Sequence, residues 1–437
     1  MSQSNSFKAG AGKAAIVYPD GFFPYRGFGG RRLIGIHDDI HARALLLEND
    51  GDRFLIVSLE LGDITDEWVE ELSWETGVPA DHIWLTATHT HEAPYANSTW
   101  GDHVPDGEKT EPFCRCCKEA ILTAYRQALA QLCPARLYYS EGQAWVNVNR
   151  DVKYEGCQPG FTAPYITGKN LHGYSDHTVS VLRLEDLSGR ALAYVVGYGV
   201  HSSVLFHQYW GEEGGMLISG DLSGAAMRYV EERTDAVALH LLGCAGDQNP
   251  RFSVLGQKLD RDGNVTDKDY GDAGYALLDV MADEWGGEIL RADRDAQEIG
   301  VSKLLCAKRT VTARTKEKWE GGPPMSLPVG YEWTLGGSMD LTLRLLVLGG
   351  VALLGIPGEL VASEGSRLKQ LLLDSGFSHA MVVTQANGCV QYMADDEGYA
   401  LKTFEATQSH FAPGIGRTLA EGAKALAAQI RRKEDVR

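Results

Sequence analysis

The sequence predicts an α/β fold with a large mixed β-sheet core and flanking helices, and two observations carry that expectation. Apolar, β-branched runs of strand length alternate along the chain with longer segments whose apolar residues recur at helical spacing. With 437 residues, 44% hydrophobic and 23% charged, the chain also has the composition of a globular protein able to bury a full core.

In order, the strand candidates are 54–61, 83–88, 178–184, 192–200, 236–242, 341–356 and 380–384. Helical spacing marks 63–75, 113–131, 222–233, 273–290, 360–373 and 417–432. Long irregular stretches are expected at 94–111, 147–176, 206–217 and 315–328, which are rich in Gly, Pro, Asn, Trp and Tyr. Loops of that length in a compact protein usually build a site or its lid. No repeat, low-complexity tract or linker divides the chain, so one domain over 1–437 is expected, with about 330–437 as its candidate subdomain.

A formal charge of −18 argues against nucleic acid and against stable association with anionic membranes, since both attract a surplus of Lys and Arg. No apolar run reaches bilayer-spanning length, and Met1–Gly12 lacks the apolar core of a signal peptide. The expectation is a cytoplasmic protein acting on a small molecule, with homo-oligomerisation left open. Eight scattered cysteines fit reduced thiols. Cys114, Cys116 and Cys117 share one helix candidate with no second pair at ligand spacing, so they read as small buried hydrophobes rather than zinc ligands.

The chemistry collects at strand ends. The run Ile83-Trp84-Leu85-Thr86-Ala87-Thr88 delivers His89-Thr90-His91. Strand alternation puts both imidazoles on one face, and two imidazoles on one face are half of a metal site. A hydrogen-bonded histidine pair is the plainer alternative. His201 likewise ends the run 192–200, where it reads as a metal ligand or as a core or turn histidine. Glu359, in Pro357-Gly358-Glu359, ends an apolar strand just before a helix, either as a helix N-terminal charge or as a hard oxygen ligand. Two or three histidines plus one carboxylate make up a catalytic zinc site with an open position for water.

Other polar residues carry similar pairs of readings. Asp221 reads as a helix N-cap and Asp247 as a turn residue. Arg150 is either a surface charge or a clamp for a substrate oxygen. The stretch Asp260-Arg261-Asp262-Gly263-Asn264 imitates a calcium loop but has Gly at its fourth position and Gly271 at its twelfth, so it is rejected. No G-x-S-x-G elbow, P-loop lysine or G-x-G-x-x-G after a strand supports a serine hydrolase or a nucleotide enzyme.

As an ordered set these motifs resemble the catalytic N-terminal domain of the neutral ceramidase family. The set comprises His37-Asp38-Asp39, Ala42-Arg43-Ala44, Thr88–His91, Asn149-Arg150, Asp176, Val200-His201-Ser202, Ser219-Gly220-Asp221, Gly246–Pro250, Pro357-Gly358-Glu359, Gly365–Leu368 and Asn387–Glu405. The resemblance runs from about residue 10 to the C-terminus. It implies a zinc amidase that cleaves an N-acyl bond, with one catalytic Zn2+ held by His89, His201, Glu359 and Tyr392. It places His91 and Arg150 against the substrate, and Asp247 is a candidate proton shuttle.

Departures from the family pattern bear on substrate. Asn249 stands where the family turn has Ser, and Arg251 where it has Asn. Phe404 stands where the family has its second site tyrosine. The segment 207–215, with His207 and Trp210, is unlike the family's own stretch. The family's C-terminal immunoglobulin-like domain is expected to be absent. Asn249, Phe404, His207 and Trp210 are therefore the expected substrate-contacting positions, and a small polar amide is expected rather than ceramide. The alternatives are a ceramide-type lipid amidase, a lactonase or esterase on the same zinc, and a non-catalytic metal- or ligand-binding protein. A (β/α)8 amidohydrolase barrel is disfavoured, because His-x-His comes too late for a first barrel strand.

Overall fold

A computed structural model describes residues 7–435 except 28–30, 97–106, 155–158, 163, 207–213, 260–264, 318, 320–321 and 323–325. Two sheets organise it. The larger contains β1 (Lys8–Ala15), β2 (His41–Asn49), β3 (Asp52–Leu59), β4 (Ile83–Ala87), β5 (Cys133–Gln143), β6 (Thr178–Asp186), β7 (Ala191–Tyr198) and β8 (Val237–Leu242). Their spatial order is β8-β7-β6-β5-β1-β2-β3-β4, and Gln297–Ile299 pairs with β5. Pairing is antiparallel except for β3–β4 and β7–β8, which are parallel, so the sheet is mixed as the sequence predicts. The smaller sheet runs β9 (Leu304–Lys316), β10 (Leu335–Leu348), β11 (Val351–Gly355) and β12 (His379–Val383), with β11–β12 parallel.

Side-chain alternation explains why the sheets stack. Leu346, Leu348, Val351, Leu353, Met381 and Val383 of the smaller sheet meet Leu45, Ile56, Trp84, Leu182 and Leu241 of the larger. Their neighbours Leu345, Val347, Ala352, Leu354 and Val382 point the other way, onto α5 (Ala362–Asp374) and α6 (Ile415–Asp435). A one-residue slip of register would exchange these two faces. The outer face of the larger sheet is covered by α1 (Glu67–Thr76) and α2 (Thr110–Ala130) on one half and by α3 (Asp221–Thr234) and α4 (Ala273–Asp293) on the other. The result is an α/β/β/α stack in which both sheets share one core. No helix among the described residues is long and apolar enough to cross a membrane.

Several sequence expectations change. The run 341–356 is two strands, β10 and β11, because the Gly349-Gly350 turn, with Gly349 at φ 59°, reverses the chain. The stretch 147–176 is not irregular throughout, since Asn147–Lys153 and Tyr165–Asn170 pair as an antiparallel hairpin. The smaller sheet begins at Leu304. Strand β1, Lys-Ala-Gly-Ala-Gly-Lys-Ala-Ala, carries no strand propensity to read. Its small residues serve close packing instead. A Cβ on Gly10 or Gly12 would lie 2.1 Å from the Ala128 or Ala124 carbonyl oxygen, so α2 rests directly on the backbone of β1. The calcium-loop mimic 260–264 lies outside the described residues.

The fold positions the site by its strand ends. The loops that follow β4, β7, β8, β11 and β12 converge, as the carboxyl ends of parallel strands do in many α/β proteins. Thr90 bridges Ser202, and Thr86 bridges Ala386. Gly246 N donates to Leu360 O at 2.9 Å, and Thr384 N donates to Leu242 O at 2.8 Å.

Candidate metal centre

His89 leaves the end of β4 in a left-handed conformation, φ 61°, which turns its ring back into the convergence zone. Gln385, Asn387 and Gln391 are also at positive φ, and each such residue costs about 1 kcal/mol that the neighbouring structure must offset. Asn387 shows how. Its Nδ2 donates to Ile83 O at 2.9 Å, its Oδ1 accepts from Leu85 N at 3.1 Å, and its backbone N donates to Leu85 O at 2.8 Å. The segment 385–387 is thereby zipped along β4, which sets Gln385 against His89.

The imidazole tautomers follow from their partners. His89 Nδ1 faces Gly62 O at 2.5 Å and the Gln385 side-chain amide at 2.8 Å. With the proton on Nδ1 donated to these groups, an inward Gln385 oxygen gains a donor that it otherwise lacks. His201 Nδ1–H donates to Gln248 O at 3.1 Å. Both rings therefore present the Nε2 lone pair inward. There His89 Nε2 lies 3.1 Å and His201 Nε2 3.4 Å from Glu359 Oε2, and His91 Nε2 lies 3.4 Å from His89 Nε2. Glu359 and Tyr392 are register partners in a two-strand parallel ribbon, which puts them side by side.

This donor set fits a zinc-type ion. Ligand atoms about 2.0–2.1 Å from a tetrahedral metal are separated by about 3.3 Å, the spacing seen here. Neither Glu359 oxygen, fully buried, meets a donor in hydrogen-bonding geometry. Two overlapping triads result. The ligand atoms of His89, His91 and His201 lie within 4.8 Å of one another, whereas the shortest contacts belong to His89, His201 and Glu359. We favour the second as the coordinating set, because a carboxylate stripped of water needs a cation more than a neutral imidazole does. The His91 ring also meets Phe206 edge-on, with ring centroids 5.0 Å apart.

Electrostatics agree. Burial alone would raise the Glu359 carboxyl, but charge on His89 holds it well below the usual range. Burial pushes His201 down to about 4 and His91 well below its ordinary value, so both stay neutral. For His89, burial opposes the charge but Glu359 raises the pKa overall.

Arg150, at the end of a side chain buried against the cluster, places Nη1 3.2 Å from His201 Nε2, and its Nε donates to Glu405 at 2.7 Å. The rings of Tyr392 and Phe404 lie 5.1 and 5.3 Å from its guanidinium carbon. The His201 lone pair accepts either this guanidinium or a metal, not both, so metal binding frees an Arg150 donor.

Other expected residues have different surroundings. Asp247 accepts from Ala362 N at 2.8 Å and from Asn149 Nδ2 at 3.0 Å, so it holds the start of α5, and burial lifts its pKa to about 6. With both oxygens engaged it reads as an organiser rather than as the proton shuttle expected. Asn249 spends its amide on Gly168 O at 3.2 Å, in the hairpin rather than in the cluster. Asp221 is the first residue of α3 rather than its N-cap. Its carboxylate accepts from Val204 N, Leu205 N and Leu222 N, which ties the loop after His201 to the helix. His207 and Trp210 lie outside the described residues. Cys114 and Cys117 are buried in α2, away from any ligand cluster among the described residues.

Sequence reasoning missed Gln385 and Asp63. Asp63 is buried, its Oδ2 has no hydrogen-bond partner, and burial lifts its carboxyl to about 7 beside His89 and Glu359. Neither sits in a motif with metal-ligand spacing. The one available signal was a carboxylate two residues after the apolar run that ends at Leu61.

No protein-family model matches the chain. Neutral ceramidase A of Dictyostelium discoideum is 28% identical over 240 residues, covering 52% of this chain and 32% of that protein. Neutral ceramidase B of the same organism is 26% identical over 278 residues, covering 60% and 36%. The chain thus spans about a third of the length of the curated relatives it matches. Two solved structures share its fold: a ceramidase complexed with C2, with TM-score 0.75, and the neutral ceramidase of Pseudomonas aeruginosa, with TM-score 0.74. Each is 20% identical and covers 98% of this chain, and the chain covers 76% and 75% of them respectively. Sequence likeness to the curated relatives, joined to this shared fold, supports a neutral ceramidase-like catalytic domain.

Proposed function

We propose that this domain is a zinc-dependent hydrolase that cleaves an N-acyl amide bond. The observation that carries the reading is the convergence of His89 Nε2, His201 Nε2 and a donorless, buried Glu359 carboxylate at tetrahedral ligand spacing. Tyr392, the register partner of Glu359, completes the proposed set. A zinc-type ion held there supplies Lewis acidity and a bound water whose pKa falls towards about 7.

The chain's own residues do the rest. Protons fixed on Nδ1 of His89 and His201 keep the ligand nitrogens basic. Arg150 and neutral His91 hold the substrate carbonyl oxygen and stabilise the negative charge that develops on it. Tyr392 and Phe404 fix the guanidinium against its faces.

For substrate we propose a small polar amide, supported by the sequence departures at Asn249, Phe404 and the 207–215 loop. The names of the curated relatives favour a second reading, in which the amide is that of ceramide. We further propose a cytoplasmic setting. The test is turnover by the zinc-loaded protein across short-chain N-acyl amides, esters, lactones and detergent-solubilised ceramides. Chelator-sensitive amide cleavage supports the reading, and best cleavage of long-chain ceramide would replace the small polar substrate. Bound zinc without turnover of any of them would leave a binding protein.

A further inference from the structure

We propose that Glu405 is the positioning residue for Arg150, and that a proton shared with Asp151 keeps Glu405 in place. What Arg150 does for the substrate rests on the amide-hydrolase reading above, whereas how it is held rests on geometry alone.

Arg150 and Glu405 come from distant parts of the chain, a hairpin strand and the short helix Phe404–Gln408, and both are buried. Glu405 Oε1 accepts from Arg150 Nε at 2.7 Å. Anchoring at Nε, with two aromatic rings over the guanidinium, leaves the Nη groups for the site: Nη1 reaches His201, and Nη2 has no hydrogen-bond partner. A guanidinium anchored through Nη would have lost those donors. The helix carrying Glu405 is itself fixed. Thr403 caps its start, and buried Lys316 Nζ donates to the Ala406 and Thr407 carbonyls at 2.5 and 2.7 Å.

A second carboxyl stands behind the pair. Asp151 follows Arg150 in the same strand, and its buried Oδ1, like Glu405 Oε2, has no hydrogen-bond partner. Two carboxylates cannot both remain charged in this buried place against one guanidinium, with Asp247 adding further negative charge nearby. One proton between them satisfies both oxygens. Burial and Glu405 accordingly lift Asp151 to about 10. The Asp151 backbone is held independently, its N donating to Asn149 Oδ1 and its O accepting from Asn170 Nδ2.

The test compares Glu405→Gln and Asp151→Asn with the wild type in the zinc-loaded protein. Glu405→Gln is expected to keep its zinc, to change KM by less than about threefold and to lower kcat by about 10- to 100-fold, the loss typical of a misplaced electrostatic group. Asp151→Asn, whose amide donates as the shared proton does, is expected to keep wild-type kcat at neutral pH. Glu405→Asp, which withdraws the charge by one methylene, is expected to fall between them and serves if the glutamine variant does not fold. Wild-type kcat in Glu405→Gln, or in Glu405→Asp where that variant stands in, would overturn the proposal. So would an Asp151→Asn loss as large as that of Glu405→Gln. A second readout needs no turnover. The Nε–H resonance of 15N-arginine-labelled protein, assigned by its loss in Arg150→Lys, is expected to be exchange-protected in wild type and Asp151→Asn and unprotected in Glu405→Gln. Unchanged protection in Glu405→Gln would overturn the positioning role. The expected protection pattern in a protein that hydrolyses no amide would sink the activity reading while leaving the positioning role standing.

Discussion

At the residue scale, the His-x-His pair divides its labour. His89 presents Nε2 to Glu359 with its proton locked on Nδ1, while His91 stays neutral and its ring meets Phe206. His89→Ala is therefore expected to lose the metal outright, whereas His91→Ala keeps it and loses about 100-fold or more in turnover. Metal content by elemental analysis beside kcat checks this, and loss of metal in His91→Ala would assign the coordination to the three-histidine triad instead. Much of this was legible in the sequence, because histidines and a carboxylate at the ends of apolar strands are a recognisable ligand composition. Gln385 was not legible. Its contact with His89 depends on Asn387 pairing along β4, some 300 residues away in the chain.

At the element scale, the site depends on close backbone approaches that only glycine permits. A Cβ on Gly246 would lie 2.9 Å from Leu360 backbone atoms and 3.0 Å from Glu359 O, so Gly246→Ala displaces the segment that carries the carboxylate ligand. Gly12→Ala instead drives α2 off β1, far from the cluster. Both are expected to cost about 2–3 kcal/mol of stability by overpacking, but only Gly246→Ala is expected to weaken metal affinity, by about tenfold or more. Denaturant melts and metal titration of the two variants separate these outcomes, and equal metal affinities would show that the approach at Gly246 is not what sets Glu359. The same packing explains why β1 was invisible in sequence. A Gly/Ala strand is chosen for what lies on it, not for its own propensity. The hairpin 147–170 was hidden similarly, since Asn147-Val148-Asn149-Arg150-Asp151 spends its polar residues on the site and on neighbouring backbone rather than on a solvent face.

At the scale of the whole molecule, two sheets sharing one core bring five strand ends to one place, a topology that alternating apolar runs announce only as a class. The shared core also buries histidines without charge. His240 donates from Nε2 to Tyr198 O at 3.0 Å, and burial pushes it from about 6.5 down to about 4. Because the folded state binds fewer protons than the unfolded state between those values, its contribution is complete above about pH 6.5 and is lost as pH falls towards 4. The stability advantage of wild type over His240→Gln is expected to shrink by on the order of 2 kcal/mol between pH 7 and pH 5 in denaturant titrations. An advantage that does not change with pH would mean that His240 is not held neutral. The central claim is the metal centre itself, and its most direct test is the metal content of protein purified without added metal and then titrated with zinc. The account predicts about one tightly bound zinc per chain in the wild type, lost in both His201→Ala and Glu359→Gln. A folded wild-type protein that refuses zinc, or variants that bind it as tightly as wild type, would contradict it.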